Sequence, residues 1–534
     1  MEKPFHMPVI QSCKFFILCF LFLTNSFSFG QRPETAVFDI QNYQFDVVLT
    51  DTSDVVNVTA VVSINYPSTV PEYTVLDFAN TGMEVKALSF GGKEVDYVHR
   101  SDVLKIPTPN TIQSGGSTEL VVTYQGIPSD GLVISQNKHG ERTFFAEHWP
   151  NRAHHWLPVI DHPSEKATCE FRVTAPAKYR VVANGDLQSE ELMDSNWKQT
   201  IWKMNKPISS KVMVIGVAPF VTKTLDSEGM IKAWVYEKTQ ALALHDFSEA
   251  PAIYEMLVGY MGTYPFTKCD QVESSTRFGG MENAGNIFYP ETSLTGEQKI
   301  NQTIAHEIGH QWFGNAVTEG DWADLWISEG FATFFENYWV EEALGLDSLL
   351  AKLQKEEKKV LDFQRKNPSQ MIVQRPVENL NKLMNPMTYD KAGWMLRMLR
   401  YRVGEETFQK LILAFYEQYK YDIASTQDFI NVANEISDVN LDKFFEQWFY
   451  TPGAPDVRCH WSYKKGKLKL SFEQQTDFVY QLDFDVQVAY KNGTTENKRV
   501  SLSDKTQIIE ISCEQVSNIE IDPHNVILGK FREK

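Results

Sequence analysis

The segment His306-Glu307-Ile308-Gly309-His310, with Glu329 nineteen residues beyond it, constrains this chain more than any other stretch. Two imidazoles four residues apart reach one point only if the segment is helical, because residues i and i+4 then share a face. Glu329, in Trp326-Ile327-Ser328-Glu329-Gly330, must return to that point from a second helix. The fold is thereby required to bring two helices together at one spot. Two histidines and a carboxylate make a three-ligand zinc set with the fourth position open, the arrangement of catalytic rather than structural zinc. Glu307 stands beside them as a general base for a metal-activated water. The same residues admit a plainer reading, a histidine pair buried in a core helix. Ile300, Ile304, Ile308 and Trp312 recur at helical spacing and would face a core.

The surroundings of this segment read as three parts after a leader. With 534 residues, 43% of them hydrophobic, the chain has material for roughly three domains. From about residue 35 to 221 the pattern is β, with alternation in Phe45-Asp46-Val47-Val48-Leu49 and in Val61-Val62-Ser63-Ile64-Asn65-Tyr66. Near Leu242 it turns helical, with Ile253, Met256, Leu257 and Tyr260 on one side. A short β stretch is expected to hold Gly279-Gly280-Met281-Glu282-Asn283. Helices then dominate to about Phe449, and Ser425 with Asp428 reads as a capping box. Thr451-Pro452-Gly453-Ala454-Pro455 punctuates their end. Beyond it, Lys467-Leu468-Lys469-Leu470-Ser471-Phe472 alternates, and Asn492-Gly493 predicts a hairpin turn with positive φ at both positions. The fold class expected is multidomain α+β. It comprises a leader (1–30), a β domain (31–222), a mostly helical zinc domain (223–451) and a small C-terminal β-sandwich (452–534).

Charge and cysteines narrow the class. A net charge of −18, spread along the chain, argues against a nucleic-acid partner, which requires a basic surface. Lys3 and Lys14 precede or border a nine-residue apolar run, Phe15 to Leu23, followed by small and polar residues to Gly30. That pattern predicts a secretory leader cleaved between Ser26 and Gln31, the alternative being an uncleaved anchor. After its removal no stable membrane span is expected, and the location would be secreted or periplasmic. Cys169, Cys269, Cys459 and Cys513 would remain. Cys459 and Cys513 share the C-terminal β segment and are free either to pair or to stand as independent buried thiols.

On three motifs together the chain resembles the aminopeptidase N family of zinc metallopeptidases, which also contains leukotriene hydrolase. They are His306-Glu307-Ile308-Gly309-His310 with Glu329, Gly279-Gly280-Met281-Glu282-Asn283, and Tyr389-Asp390-Lys391-Ala392-Gly393. The resemblance covers most of the chain after the leader. It implies a saddle-like N-terminal β domain, a thermolysin-like catalytic domain, one zinc ion on His306, His310 and Glu329, and peptide substrates with a free N-terminal amine. It also implies that Tyr389 donates to the oxyanion, that Glu282 and Glu147 receive the α-ammonium, and that Gly279, Gly280, Met281 and Asn283 line the substrate strand. Glu336, two helical turns beyond Glu329, and less strongly Asp324, would orient ligand side chains. Two positions depart from the family pattern, Phe145 where Gln is usual and Ser328 where Asn is usual. The large helical domain that roofs the site in many relatives is expected to be absent, and with that a more open cleft is expected. The rival readings are an endopeptidase, indifferent to the free amine, a related hydrolase of another substrate, and a non-catalytic peptide-binding scaffold.

Overall fold

The computed structural model describes residues 38–67 and 69–533. The predicted leader lies outside the described residues. Among them, no helix is long and apolar enough to cross a membrane.

The N-terminal part is built on an eight-stranded sheet. Its central strands, Asp39–Val48, Val56–Tyr66 and Gly116–Gly126, are antiparallel, while Asp39–Val48 pairs in parallel with Lys166–Pro176 on its other side. Val56–Tyr66 buries every second residue, so the two-residue period of its sequence becomes one core face and one partly wet face. A smaller sheet places Arg142–Ala146 between Leu132–Gln136 and Ile215–Ala218. That central strand runs straight into Glu147.

A third sheet marks the passage to the helical part. Its order is Phe220–Thr224, Lys232–Tyr236, Asp270–Ser274, Asn286–Pro290; the first pair is antiparallel and the others parallel. The segment with Gly279 to Asn283 connects the last two strands. It is not itself the strand its sequence suggested: a single bridge, Met281 to Phe288, is its only ladder contact. Two adjacent glycines favour irregular backbone there.

Among the described residues the helices are α1 (Gln240–Asp246), α2 (Ala250–Met261), α3 (Asn301–Gly309), α4 (Trp326–Leu344), α5 (Leu346–Lys366), α6 (Ala392–Val403), α7 (Glu405–Tyr419), α8 (Thr426–Ile436) and α9 (Asp442–Phe449). Ile300, Ile304, Ile308 and Trp312 are buried, as their period requires. The capping box at Ser425 is present, with Asp428 returning a bond to the Ser425 backbone. Aromatic rings fill the space around α4: Phe331 stacks on Phe313 at 3.9 Å, and Trp326 meets Phe429 edge-on at 5.2 Å. This packing fixes the first turn of α4, the turn that carries Glu329.

The segment after Pro455 forms a four-stranded and a three-stranded sheet. The hairpin at Asn492-Gly493 differs in detail from expectation, because only Gly493 has positive φ. Asn492 instead uses its side-chain oxygen to receive the Thr494 N–H at 2.9 Å, a side-chain turn that leaves its own backbone unstrained. Cys169, Cys269, Cys459 and Cys513 are all free thiols.

Candidate metal and substrate site

The two histidines meet as their spacing demands. His306 Nε2 and His310 Nε2 are 3.1 Å apart, and Glu329 Oε2 lies 3.5 Å from the first and 3.2 Å from the second. Zinc bonds of about 2.0–2.2 Å in a tetrahedron separate neighbouring ligand atoms by roughly 3.3 Å, so this triangle has the size the ion needs.

The tautomers agree. His310 Nδ1 faces the Phe313 carbonyl at 3.3 Å, and His306 Nδ1 faces Glu336 Oε2 at 3.4 Å. A carbonyl or carboxylate oxygen can only accept, so both Nδ1 atoms carry the proton and both Nε2 lone pairs point into one space. Two converging lone pairs and a carboxylate oxygen repel each other unless a cation lies among them. The residues therefore fit zinc.

Glu336 is where the sequence suggested, and Lys352 Nζ holds its other oxygen at 3.1 Å. Ser328 Oγ lies 3.1 Å from His310 Nδ1 and supplements the Phe313 carbonyl. Neither Lys352 nor the role of Ser328 was visible in the sequence, since each acts through a neighbour from another turn or helix. Asp324 is a correction. Its carboxylate accepts from Arg375 at 2.7 Å and from Thr426 Oγ1 at 2.6 Å, which ties α8 to the start of α4 rather than orienting a ligand.

Glu307 is 5% exposed. Burial pushes its carboxyl up to about 7; Glu282 and Glu329 add to the rise, and the two imidazoles oppose it. For Glu329 burial again pushes upward, but the adjacent His310 and His306 rings outweigh it and hold the acid well below the carboxylate range. Gly280 lies against Glu307 so closely that a Cβ there would stand 2.1 Å from Oε1. At Gly279 a Cβ would meet nothing within 4 Å, so of the two glycines Gly280 alone is required by packing.

The connecting segment is clamped to the residues that follow α3. Gln311 Nε2 and Asn315 Nδ2 both donate to the Glu282 carbonyl, at 2.9 and 2.5 Å. Met281 and Asn283 are buried beside it. The Glu282 side chain is 4% exposed, and its Oε1 has no hydrogen-bond partner among the described residues. An unpaired buried oxygen costs about 1–3 kcal/mol, and this one is open to an incoming donor.

Glu147 is in a different state. It is fully buried, with Oε1 receiving the Arg277 backbone N–H at 2.7 Å and Oε2 receiving Arg277 Nε at 2.8 Å and Arg152 Nη1 at 3.1 Å. Arg277 also reaches Asp130 at 2.8 Å. Two guanidinium groups thus engage the carboxylate that the family resemblance assigned to the substrate amine. Phe145 turns into the core, edge-on to Phe288 at 5.5 Å.

Tyr389 lies in one turn of π-helix, Met387–Lys391, that opens into α6. Its ring lies parallel to that of His306 with centroids 6.2 Å apart. Burial, then Glu329 and Glu282, push its pKa well above the phenol range, so the hydroxyl remains a donor.

Comparison with known proteins agrees with this architecture. Residues 35–212 match the peptidase M1 N-terminal domain, and residues 248–448 match the peptidase family M1 domain. Glutamyl aminopeptidase of Rattus norvegicus is 28% identical over 394 residues, 69% of this chain and 41% of the rat protein. Glutamyl aminopeptidase of Bitis rhinoceros is 26% identical over 433 residues, covering 76% and 45%. Aminopeptidase M1-A of Oryza sativa subsp. japonica is 26% identical over 425 residues, covering 72% and 46%. The chain spans less than half the length of these relatives.

Proposed function

The chain belongs to peptidase family M1, and from that premise we propose that it is a zinc-dependent aminopeptidase that hydrolyses the first bond of peptides with a free N-terminal amine. The observation that carries the reading is the convergence of His306, His310 and Glu329 on one point, with the unpaired Glu282 oxygen nearby.

Zinc held by those three side chains would supply Lewis-acid polarisation of the scissile carbonyl and a water whose pKa falls to about 7. Glu307 takes the proton of the attacking water and returns it to the leaving amine, a role suited to a carboxyl poised near neutrality. Tyr389 donates its phenolic proton to the carbonyl oxygen as negative charge gathers there. Glu282 receives the α-ammonium through Oε1 and so sets how far the first peptide bond extends from the metal. Glu147 acts chiefly by holding Arg277 and Arg152, which leaves Glu282 as the principal anchor of the amine. Without a contact to the α-amine, an endopeptidase would have no use for a buried carboxylate oxygen kept free of partners. The apolar run Phe15 to Leu23 supports export of the enzyme.

The test is a panel of fluorogenic aminoacyl substrates, with and without chelator, alongside N-acetylated copies. Turnover that needs metal and a free amine is expected. Equal cleavage of the acetylated copies would refute the aminopeptidase assignment, and metal-independent turnover would remove zinc from it.

A further inference from the structure

A cavity of about 290 Å³ adjoins the site and is bordered by His306 and Tyr389. Its position relative to the amine anchor gives it a direction. Glu282, Glu307 and His310 bring carboxylate and imidazole atoms within 4.8 Å of one another, whereas Glu282 and His310 do not border the cavity. A peptide with its ammonium on Glu282 therefore extends past His310 and the metal point toward His306 and Tyr389. The portion beyond the scissile bond then enters this cavity.

One wall of the cavity is α5, which presents Lys352, Lys355 and Lys359 at i, i+3 and i+7, a single helical face. The acidic groups around them are Glu336, Glu356 and Asp390. Lys352 is held by Glu336, Glu356 and Asn337, and Lys359 reaches Asp390 at 2.8 Å. Glu356 and Asp390 are each 6% exposed and lie in the floor, while the Lys359 side chain is 60% exposed at the rim. Lys355 is exposed and has no carboxylate partner among the described residues. An incoming group thus meets ammonium before it meets carboxylate.

We propose that this cavity receives the leaving portion of the substrate and binds a carboxylate there, on Lys355 with Lys359 beside it. The proposal rests on the aminopeptidase reading for the direction of the chain. The carboxylate has two possible sources, the C-terminus of a short peptide or an acidic side chain one or two residues after the scissile bond.

Binding without turnover separates the sources. The full chain carrying E307Q and loaded with zinc is titrated with Ala-Ala-Ala against its C-terminal amide, and with Ala-Glu-Ala amide against Ala-Gln-Ala amide. At least one charged member is expected to bind about five-fold tighter than its neutral twin, the scale of one exposed charge pair. A preference in the first pair assigns the C-terminal carboxylate, and one in the second assigns the side chain. Adding K355E should abolish the preference, with K355Q as a milder copy at the same exposed position. Equal affinities in both pairs, or a preference that survives K355E and K355Q, would overturn the proposal. Wild-type turnover of an alanyl fluorogenic substrate is read separately. Its absence would remove the aminopeptidase reading, whereas turnover without carboxylate preference would remove the subsite alone.

Discussion

Gly280 and Glu307 occupy one another's space: a methyl group on the glycine would lie 2.1 Å from the carboxylate oxygen of the acid. The glycine does not have positive φ, so its requirement is steric and not conformational. Substitution G280A must displace Glu307, because the three atoms nearest the added carbon all belong to that side chain. A shift of about 1 Å in a general base lowers turnover by about 100-fold. His306, His310 and Glu329 are untouched. Zinc content equal to wild type with kcat reduced by that order is expected, measured by elemental analysis and steady-state kinetics. A kcat within two-fold of wild type would mean that the glycine does not position the base.

On the proposed mechanism Y389F removes the hydroxyl that donates to the developing charge, so kcat should fall by about 10²–10³ with KM changed less than about two-fold. A rise in KM with kcat preserved would assign the tyrosine to ground-state binding.

Glu336 holds His306 from behind, at 3.4 Å, and is itself held by Lys352. Loss of such a partner commonly weakens metal binding by about 10–100-fold. E336Q should therefore release zinc to a competing chelator at correspondingly lower chelator concentration. A solvated acid at that position would leave the competition curve where it was.

His148 sets an acid limit on the β domain. Burial lowers its pKa to about 4; Asp161, the Ser210 carbonyl and Glu147 act against the fall, and Arg152 adds to it. Its Nδ1 donates to the Ser210 carbonyl at 3.0 Å, and Nε2 accepts from Trp156 Nε1 at 2.8 Å, so the native ring is neutral. Unfolded, the ring takes a proton below about 6.5. The unfolded state thus binds more protons between about 6.5 and 4, and stability from this group falls as pH drops through that window. Melting temperature followed from pH 7 to 4 should decline less steeply in H148Q than in wild type. Parallel curves would remove His148 as the cause.

The parts of the site that sequence made legible are those governed by local period. His306 and His310 are one helical turn apart, and a helix forces them together wherever it lies. Glu329 could be placed in a first turn because Trp326 before it and Phe331, Phe334 and Phe335 after it mark one helix. Ser425 and Asp428 cap α8 by a contact three residues long. The contacts that the sequence did not reveal have the opposite character. Asp324 is close in sequence to Glu329, yet Arg375 and Thr426, 51 and 102 residues away, claim its carboxylate. Glu147 is engaged by Arg277, 130 residues distant, in a pairing with no local signature.

By itself, then, the sequence determined which two histidines share a face, the helices that carry them and Glu329, and the alternation of the sheets, since each follows from covalent spacing and a fixed helical or strand repeat. Folding alone decided which of the acids stay free. Whether a carboxylate is left open, like Glu282, or is closed by guanidinium groups, like Glu147, depends on which distant side chains arrive within about 3 Å of it. Hydrogen bonds and close ion pairs form only at that range, and chain distance carries no information about it.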